Sequence, residues 1–319
     1  MKVRVSFKLL CLAVVAVSAV AVMAQVTGRT TLTVGSGSQP PSGNQSLLHG
    51  ATVDANNQPS VAIPSGWTLV QAQGFEGTAP STESWSGAVS TDRPHTGTHS
   101  LQDNVDHDQA GPAWWGGGST LGTFTSVYLS YWEFVDSNAA ANDEWNLGDL
   151  TKYDSSGNFM QEISPGLLGQ SFNTLTPPLT MGPQSPKPNG VINIYYGPNV
   201  NLNPGAWHQW EISWTPNSPG SSNGAFAIYR DGTLLLSASN QNLNGTIDMS
   251  GSALRAGGQY TKLLWTNNAQ GTGTCTPLGT GTGIEFQGGG TSFASIAAVC
   301  QPPAPAFKRF LDDVIVIKR

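Results

Sequence analysis

The sequence predicts an all-β fold, an antiparallel sandwich or barrel of about 250 residues running from about Trp67 to Arg319. Three observations lead there. Short apolar or alternating runs recur between clusters rich in Gly, Pro and Asn, in a chain with 38 glycines and 21 prolines. No stretch keeps a helical period over three turns, and prolines interrupt the few candidates. Asp231-Gly232 lies between two β-type runs, and this dipeptide supplies the positive φ angles of a type I′ hairpin turn.

The chain opens with Lys2, Arg4 and Lys8, an apolar run from Leu9 to Met23, and Ala24 before Gln25. This is the three-part pattern of a cleavable export signal over residues 1–24, and the run of about 15 residues is short of the roughly 20 that a spanning helix needs. Cys11 lacks the Leu-small-small order of a lipid-attachment site, and no later segment is long and apolar enough to span a bilayer. Residues 25–65 are mostly Thr, Ser, Gly, Pro, Asn and Gln, which reads as a polar, flexible leader. The folded domain is expected over 66–319.

Within that domain the expected strands are Trp67 to Phe75, Ser100 to Asn104, Ser126 to Val135, Val191 to Tyr196 and Trp207 to Trp214. The hairpin Ala225 to Ala238, then Tyr260 to Trp265 and Phe310 to Ile317, complete the set. Period-two alternation assigns faces. His208, Trp210, Ile212 and Trp214 form a bulky set for the core, while Gln209, Glu211 and Ser213 form a polar face. Ile192 and Ile194 face the core, with Asn193 and Tyr195 opposite. Ser126 to Val135 is apolar on both faces, with Tyr128, Trp132 and Phe134 on one and Val127, Leu129 and Val135 on the other. Beyond the signal, Cys275 and Cys300 are an even pair in an exported chain, which reads as one disulfide; two buried thiols are the alternative.

Charged residues are 11% of the chain, the net charge is -6, and ten tryptophans are present. A weakly acidic surface with few cations gives no counterion-release term, which excludes nucleic acid and disfavours heavily sulfated glycans. Neutral and mildly acidic glycans remain as partners.

Three segments resemble the concanavalin A-like lectin and glucanase jelly rolls, in particular their laminin G-like and polysaccharide-lyase-like branch. They are Gln73 to Gly77 followed by Arg93 to Leu101; Gly205 to Glu211 with Asn217 to Gly224 and Tyr229 to Gly232; and Phe310 to Val316. Each motif is weak alone, and their order and spacing carry the likeness. The resemblance implies two curved antiparallel sheets, one of them forming a glycan groove; the export signal implies a secreted, extracellular or periplasmic location. It implies no particular reaction, because the fold hosts lectins, hydrolases, lyases and structural modules.

Retaining glycoside hydrolysis needs two carboxylates about 5–5.5 Å apart. The Glu-x-Asp-x-x-Glu strand of laminarinase-like jelly rolls is absent, and Glu133, Glu144 and Glu211 have no carboxylate two positions away. Lyase chemistry needs a proton-transferring Tyr or His and a cation or amide beside a uronate carboxylate. Tyr195, His95 and Lys262 are the candidates, with Asn193, Tyr260 and Arg93 near them in sequence. The Gln-Ile-His and Tyr-x-Lys-x-Gly-x-Tyr strands of one alginate-lyase branch are missing. Sugar binding uses aromatic faces and amides. Trp114 and Trp115 in a Gly-rich loop, Trp145, Asn193, Gln209 and Glu211 are the candidate ligand-binding residues. No cofactor is required. A structural calcium ion recurs in the resembled family, and Asp312 and Glu76 are its candidate ligands, the alternative being that the inward Asp accepts backbone hydrogen bonds. The preferred expectation is a polysaccharide-binding module, the first alternative a lyase of uronate-containing glycans, and the second an adhesive or structural module.

Overall fold

The structure is a computed structural model, and it describes residues 46–76, 87–105, 118–137, 144–168, 178–184, 195–257, 260–261 and 307–319. In chain order the strands are β1 Thr68–Gln73, β2 Ala88–Ser90, β3 Ser100–Val105, β4 Gly118–Thr120, β5 Val127–Val135, β6 Glu144–Asn146, β7 Gly148–Tyr153 and β8 Phe159–Leu168. They continue as β9 Pro178–Gln184, β10 Tyr195–Asn199, β11 Trp207–Thr215, β12 Gly224–Arg230, β13 Thr233–Gln241, β14 Ala253–Ala256, β15 Tyr260–Thr261 and β16 Phe307–Lys318. There is no helix among the described residues, and so none long and apolar enough to cross a membrane.

The strands form two antiparallel sheets, the jelly-roll β-sandwich that the sequence predicts. The first has the order β13-β12-β11-β5-β16-β3-β2, with β1 also pairing β16. The second has the order β10-β9-β8-β7-β14-β4, with β6 joining β8 and β15 joining β6. Between them lies the main core. Leu129, Tyr131, Trp210, Ile212 and Trp214 of the first sheet meet Leu150, Ile163, Leu179, Met181 and Leu254 of the second. The bulky set of β11 is therefore core as expected, apart from half-buried His208 at the strand's open end. The two-sided apolarity of β5 also has its explanation: Val127, Leu129 and Tyr131 face the second sheet, while Tyr128 belongs to a separate cluster on the outward face. The Asp231-Gly232 turn has φ of 50° and 75°, as a type I′ turn requires.

That second cluster corrects the boundary drawn at residue 65. Leu48, Ala51 and Val53 are buried against Tyr128, Ile315 and Ile317 on the outward face of the first sheet. Composition averaged over 25–65 concealed these few apolar residues. A strap needs only one or two of them per turn of chain when a sheet face supplies the rest of the surface.

Strand β16 departs from simple alternation. Its pairing with β5 shifts register between Asp312 and Ile315, and Asp313 has φ of 50°. The bulge buries both aspartates on the outward face, beneath Val53, His95 and Thr96, where regular alternation allows only one.

Candidate functional site

The second sheet has one apolar face and one polar face. In β7, Gly148 and Leu150 meet the first sheet, so Asp149, Thr151 and Tyr153 project from the other side. Arg255 of β14 is the register partner of Asp149, and Glu162 of β8 is that of Thr151. Ser164 follows two positions on, and its hydroxyl donates to Asp149 Oδ1 at 2.6 Å. The Arg255 guanidinium reaches the Tyr153 hydroxyl at 3.4 Å. Three strands thus assemble two carboxylates, a guanidinium, a phenol and two hydroxyls on one face.

Burial pushes the Asp149 carboxyl above the usual carboxylate range, against the Ser164 hydrogen bond and the Arg255 charge, which both favour the ionised form. Asp149 and Thr151 have no exposure, and Asp149 Oδ2 and Thr151 Oγ1 find no hydrogen-bond partner among the described residues. Buried polar atoms are rarely left so, and the ones that are mark ordered water or a ligand. Tyr153 and Arg255 are only half-buried, although Arg255 Nη1 is itself a buried atom, so the accessible end of the cluster lies at these two residues.

Sequence reasoning did not identify these residues. β7 reads GDLTKY, with a single clear hydrophobe, and β14 is four residues long. A usable signal was present in the alternation Asp149, Thr151, Tyr153 against Leu150, but it becomes persuasive only once β8 and β14 are known to flank it.

The residues chosen from sequence are placed elsewhere. Tyr195 pairs with Met181 and points into the core, where its hydroxyl donates to Gln241 Oε1 at 2.8 Å and its ring lies 5.1 Å from Phe226. The polar face expected for it is thus the buried one, because β10 sits over the Phe226 and Leu236 end of the sandwich. His95 lies on the outward face of the first sheet, stacked on Trp132 at 3.9 Å with Nδ1 2.6 Å from Asp313 Oδ2. These two cannot act on one sugar, since the sandwich separates them. Lys262, Asn193, Trp114, Trp115, Cys275 and Cys300 lie outside the described residues. Trp145 is in β6, in register with Leu167 and Tyr260.

Gln209 and Glu211 do lie on a polar face, but the strap covers it and both are fully buried. Glu211 accepts from Ser46 Oγ, the Leu48 amide and Tyr128 Oη at 2.7, 3.1 and 2.7 Å. Gln209 accepts from the Gly50 amide at 2.7 Å and donates to the Leu48 carbonyl at 2.7 Å. Their ligand is the chain itself.

The proposed calcium ligands are used in the same way. Glu76 accepts from the Thr98 and His99 amides at 2.6 and 2.9 Å and from Thr98 Oγ1 at 2.8 Å. Burial acts upward on its carboxyl, yet these hydrogen bonds bring it down to about 2. Asp312 Oδ2 accepts from the His95 and Thr96 amides, and its Oδ1 from the Asp313 amide. Every oxygen of both groups thus faces N–H or O–H donors, a set that does not fit a cation. Among the described residues no cluster of three or more His, Cys, Asp or Glu could hold a metal.

Fold and site together define a jelly-roll β-sandwich with a charged, hydrogen-bonding face on its second sheet. No protein-family model and no curated protein sequence matches the chain. Solved structures with a similar arrangement include an endo-β-1,4-glucuronan lyase from the fungus Trichoderma reesei, with 13% identity and a TM-score of 0.47 over 84% of this chain and 94% of that one. An alginate lyase from Chlorella virus matches at 9% identity and TM-score 0.42, over 79% and 93% of the two chains. A carbohydrate esterase from a Shiga toxin-encoding bacteriophage matches at 11% and 0.42, over 80% and 100%. These likenesses concern the arrangement of strands and transfer no residue role.

Proposed function

We propose that this chain acts on a uronate-containing polysaccharide at the polar face of its second sheet, cleaving it by β-elimination. The observation that supports this reading is the Arg255–Tyr153 pair, a guanidinium and a phenol 3.4 Å apart at the accessible end of that face. Arg255 pairs with the uronate carboxylate and offsets the charge that develops on it when the adjacent carbon is deprotonated. Tyr153 exchanges the proton: the C5–H bond breaks, its electrons form the C4–C5 double bond, and the C4–O bond breaks with the departing oxygen taking up a proton. Asp149, held by Ser164, is the register partner of Arg255, and the two interact electrostatically across the strand pair. An export signal over residues 1–24 and a Cys275–Cys300 disulfide belong to the same proposal, and intact-mass measurement before and after reduction tests both.

The wild-type chain, incubated with uronic and neutral polysaccharides, is expected to raise absorbance in the unsaturated-uronate band with the uronic ones alone. Tyr153→Phe is expected to lower that rate about a hundredfold or more while still binding, and Arg255→Ala to lose binding as well. Retention by uronic glycans in an affinity gel without any rise in absorbance supports the second reading, a glycan-binding module, and removes the lyase one.

A further inference from the structure

The outward face of the first sheet holds a feature that the second-sheet reading does not use. One register row across that sheet is Trp207, Phe134, Phe310 and Gln102. Its rings are in contact, Trp207 with Phe134 at 5.7 Å and Phe134 with Phe310 at 6.0 Å. The segment after β2 crosses this row, and the Arg93 guanidinium stands 5.0 Å over the Phe134 ring. Beside it opens a cavity of about 520 Å³ lined by Asp92, Arg93, Asp136, Lys308 and Phe310.

We propose that this cavity is a second saccharide site, one that takes a neutral sugar ring. Its volume is comparable to that of small-ligand sites, and it is broadly open to solvent. Its described lining holds both donors and acceptors: Arg93 and Lys308 carry N–H groups, Asp92 and Asp136 carry oxygens, and Phe310 adds an aromatic ring. Vicinal sugar hydroxyls both donate and accept, so they match such a lining, whereas an anion would meet two carboxylates and a cation two positive groups. Three of these polar residues already hold partners in the chain. Lys308 Nζ lies 2.8 Å from Asp92 Oδ2, and the Lys308 amide donates to Asp136 Oδ2 at 3.1 Å. Pre-fixed partners lower the ordering cost of binding. The site lies on the far side of the sandwich from Arg255 and Tyr153, so it is independent of the lyase reading. It gives the chain two separate holds on a polysaccharide.

Titration with soluble gluco-, manno- and xylo-hexasaccharides tests this. The wild type is expected to bind at least one of them, with Arg93→Ala about tenfold weaker and Arg255→Ala unchanged. NMR chemical-shift changes in the wild-type protein are expected at Asp92, Arg93 and Asp136, a readout that needs no variant. The proposal is overturned if no neutral hexasaccharide binds, if the shifts fall elsewhere, or if Arg255→Ala abolishes the binding. Loss of uronate cleavage in Arg255→Ala with neutral-sugar binding intact separates the two sites.

Discussion

Glu211 is buried, and three donors from two elements fill its oxygens: Ser46, the Leu48 amide and the Tyr128 phenol. Burial and the Glu211 charge push the Tyr128 hydroxyl far above its ordinary range, so the phenol remains a donor at any physiological pH. Glu211→Ala would leave the Leu48 amide and the Tyr128 hydroxyl buried without an acceptor. It is expected to cost about 2–4 kcal/mol in chemical denaturation while leaving glycan binding intact. Asp312 gives a pH test. Burial and the neighbouring Asp313 push its carboxyl up to about 8 from an ordinary 3.8, against the amides of His95, Asp313 and Thr96. A carboxyl raised on folding contributes stability that is full below the unfolded value and is lost as pH rises through the folded one. The stability difference between wild type and Asp312→Asn should therefore move in the variant's favour between pH 5 and pH 8. Denaturation curves at the two pH values check this, and parallel behaviour would refute the assignment.

At the scale of elements, the β12–β13 hairpin and the strap depend on each other. Gly232 has φ of 75°, and a Cβ there would meet the His49 ring at 2.6 Å. Glycine is needed twice over, for the left-handed backbone and for the close approach of the strap. His208 buttresses the same turn, with Nδ1 2.7 Å from Asp231 Oδ2, which is a structural task for a histidine beside the core tryptophans. Gly232→Ala is expected to cost about 1–2 kcal/mol from the backbone alone. Displacement of His49 adds to that, and faster proteolysis near residue 49 would report the loosened strap. The hairpin was legible from Asp-Gly between two runs of alternating hydrophobicity. The strap was not, because its anchors are only Leu48, Ala51 and Val53 in a polar stretch.

For the whole molecule, the spacing of the two sheets sets the candidate site. Gly148 starts β7 directly before Asp149, and a Cβ on it would lie 2.9 Å from Leu129 Cδ2 and 3.1 Å from the Arg255 carbonyl. Gly148→Ala is expected to cost about 1–3 kcal/mol by overpacking. It should also reduce uronate cleavage, since the same shift moves Asp149 against Arg255; a destabilised variant with unchanged turnover would separate the site from the core. The sequence by itself determined the all-β class, the β11 core face and the type I′ hairpin, because period-two burial and positive-φ turns are local properties of the chain. Only the tertiary structure decided which polar residues stay accessible. Gln209, Glu211, Asp312 and Glu76 looked like ligand-binding groups, yet each is filled by a segment distant in the chain. Arg255 and Tyr153 looked unremarkable, yet they are drawn together from strands about a hundred residues apart, with |i−j| of 102. The physical reason is that strand pairing joins residues by register, which depends on the whole sheet rather than on the spacing of residues along the chain.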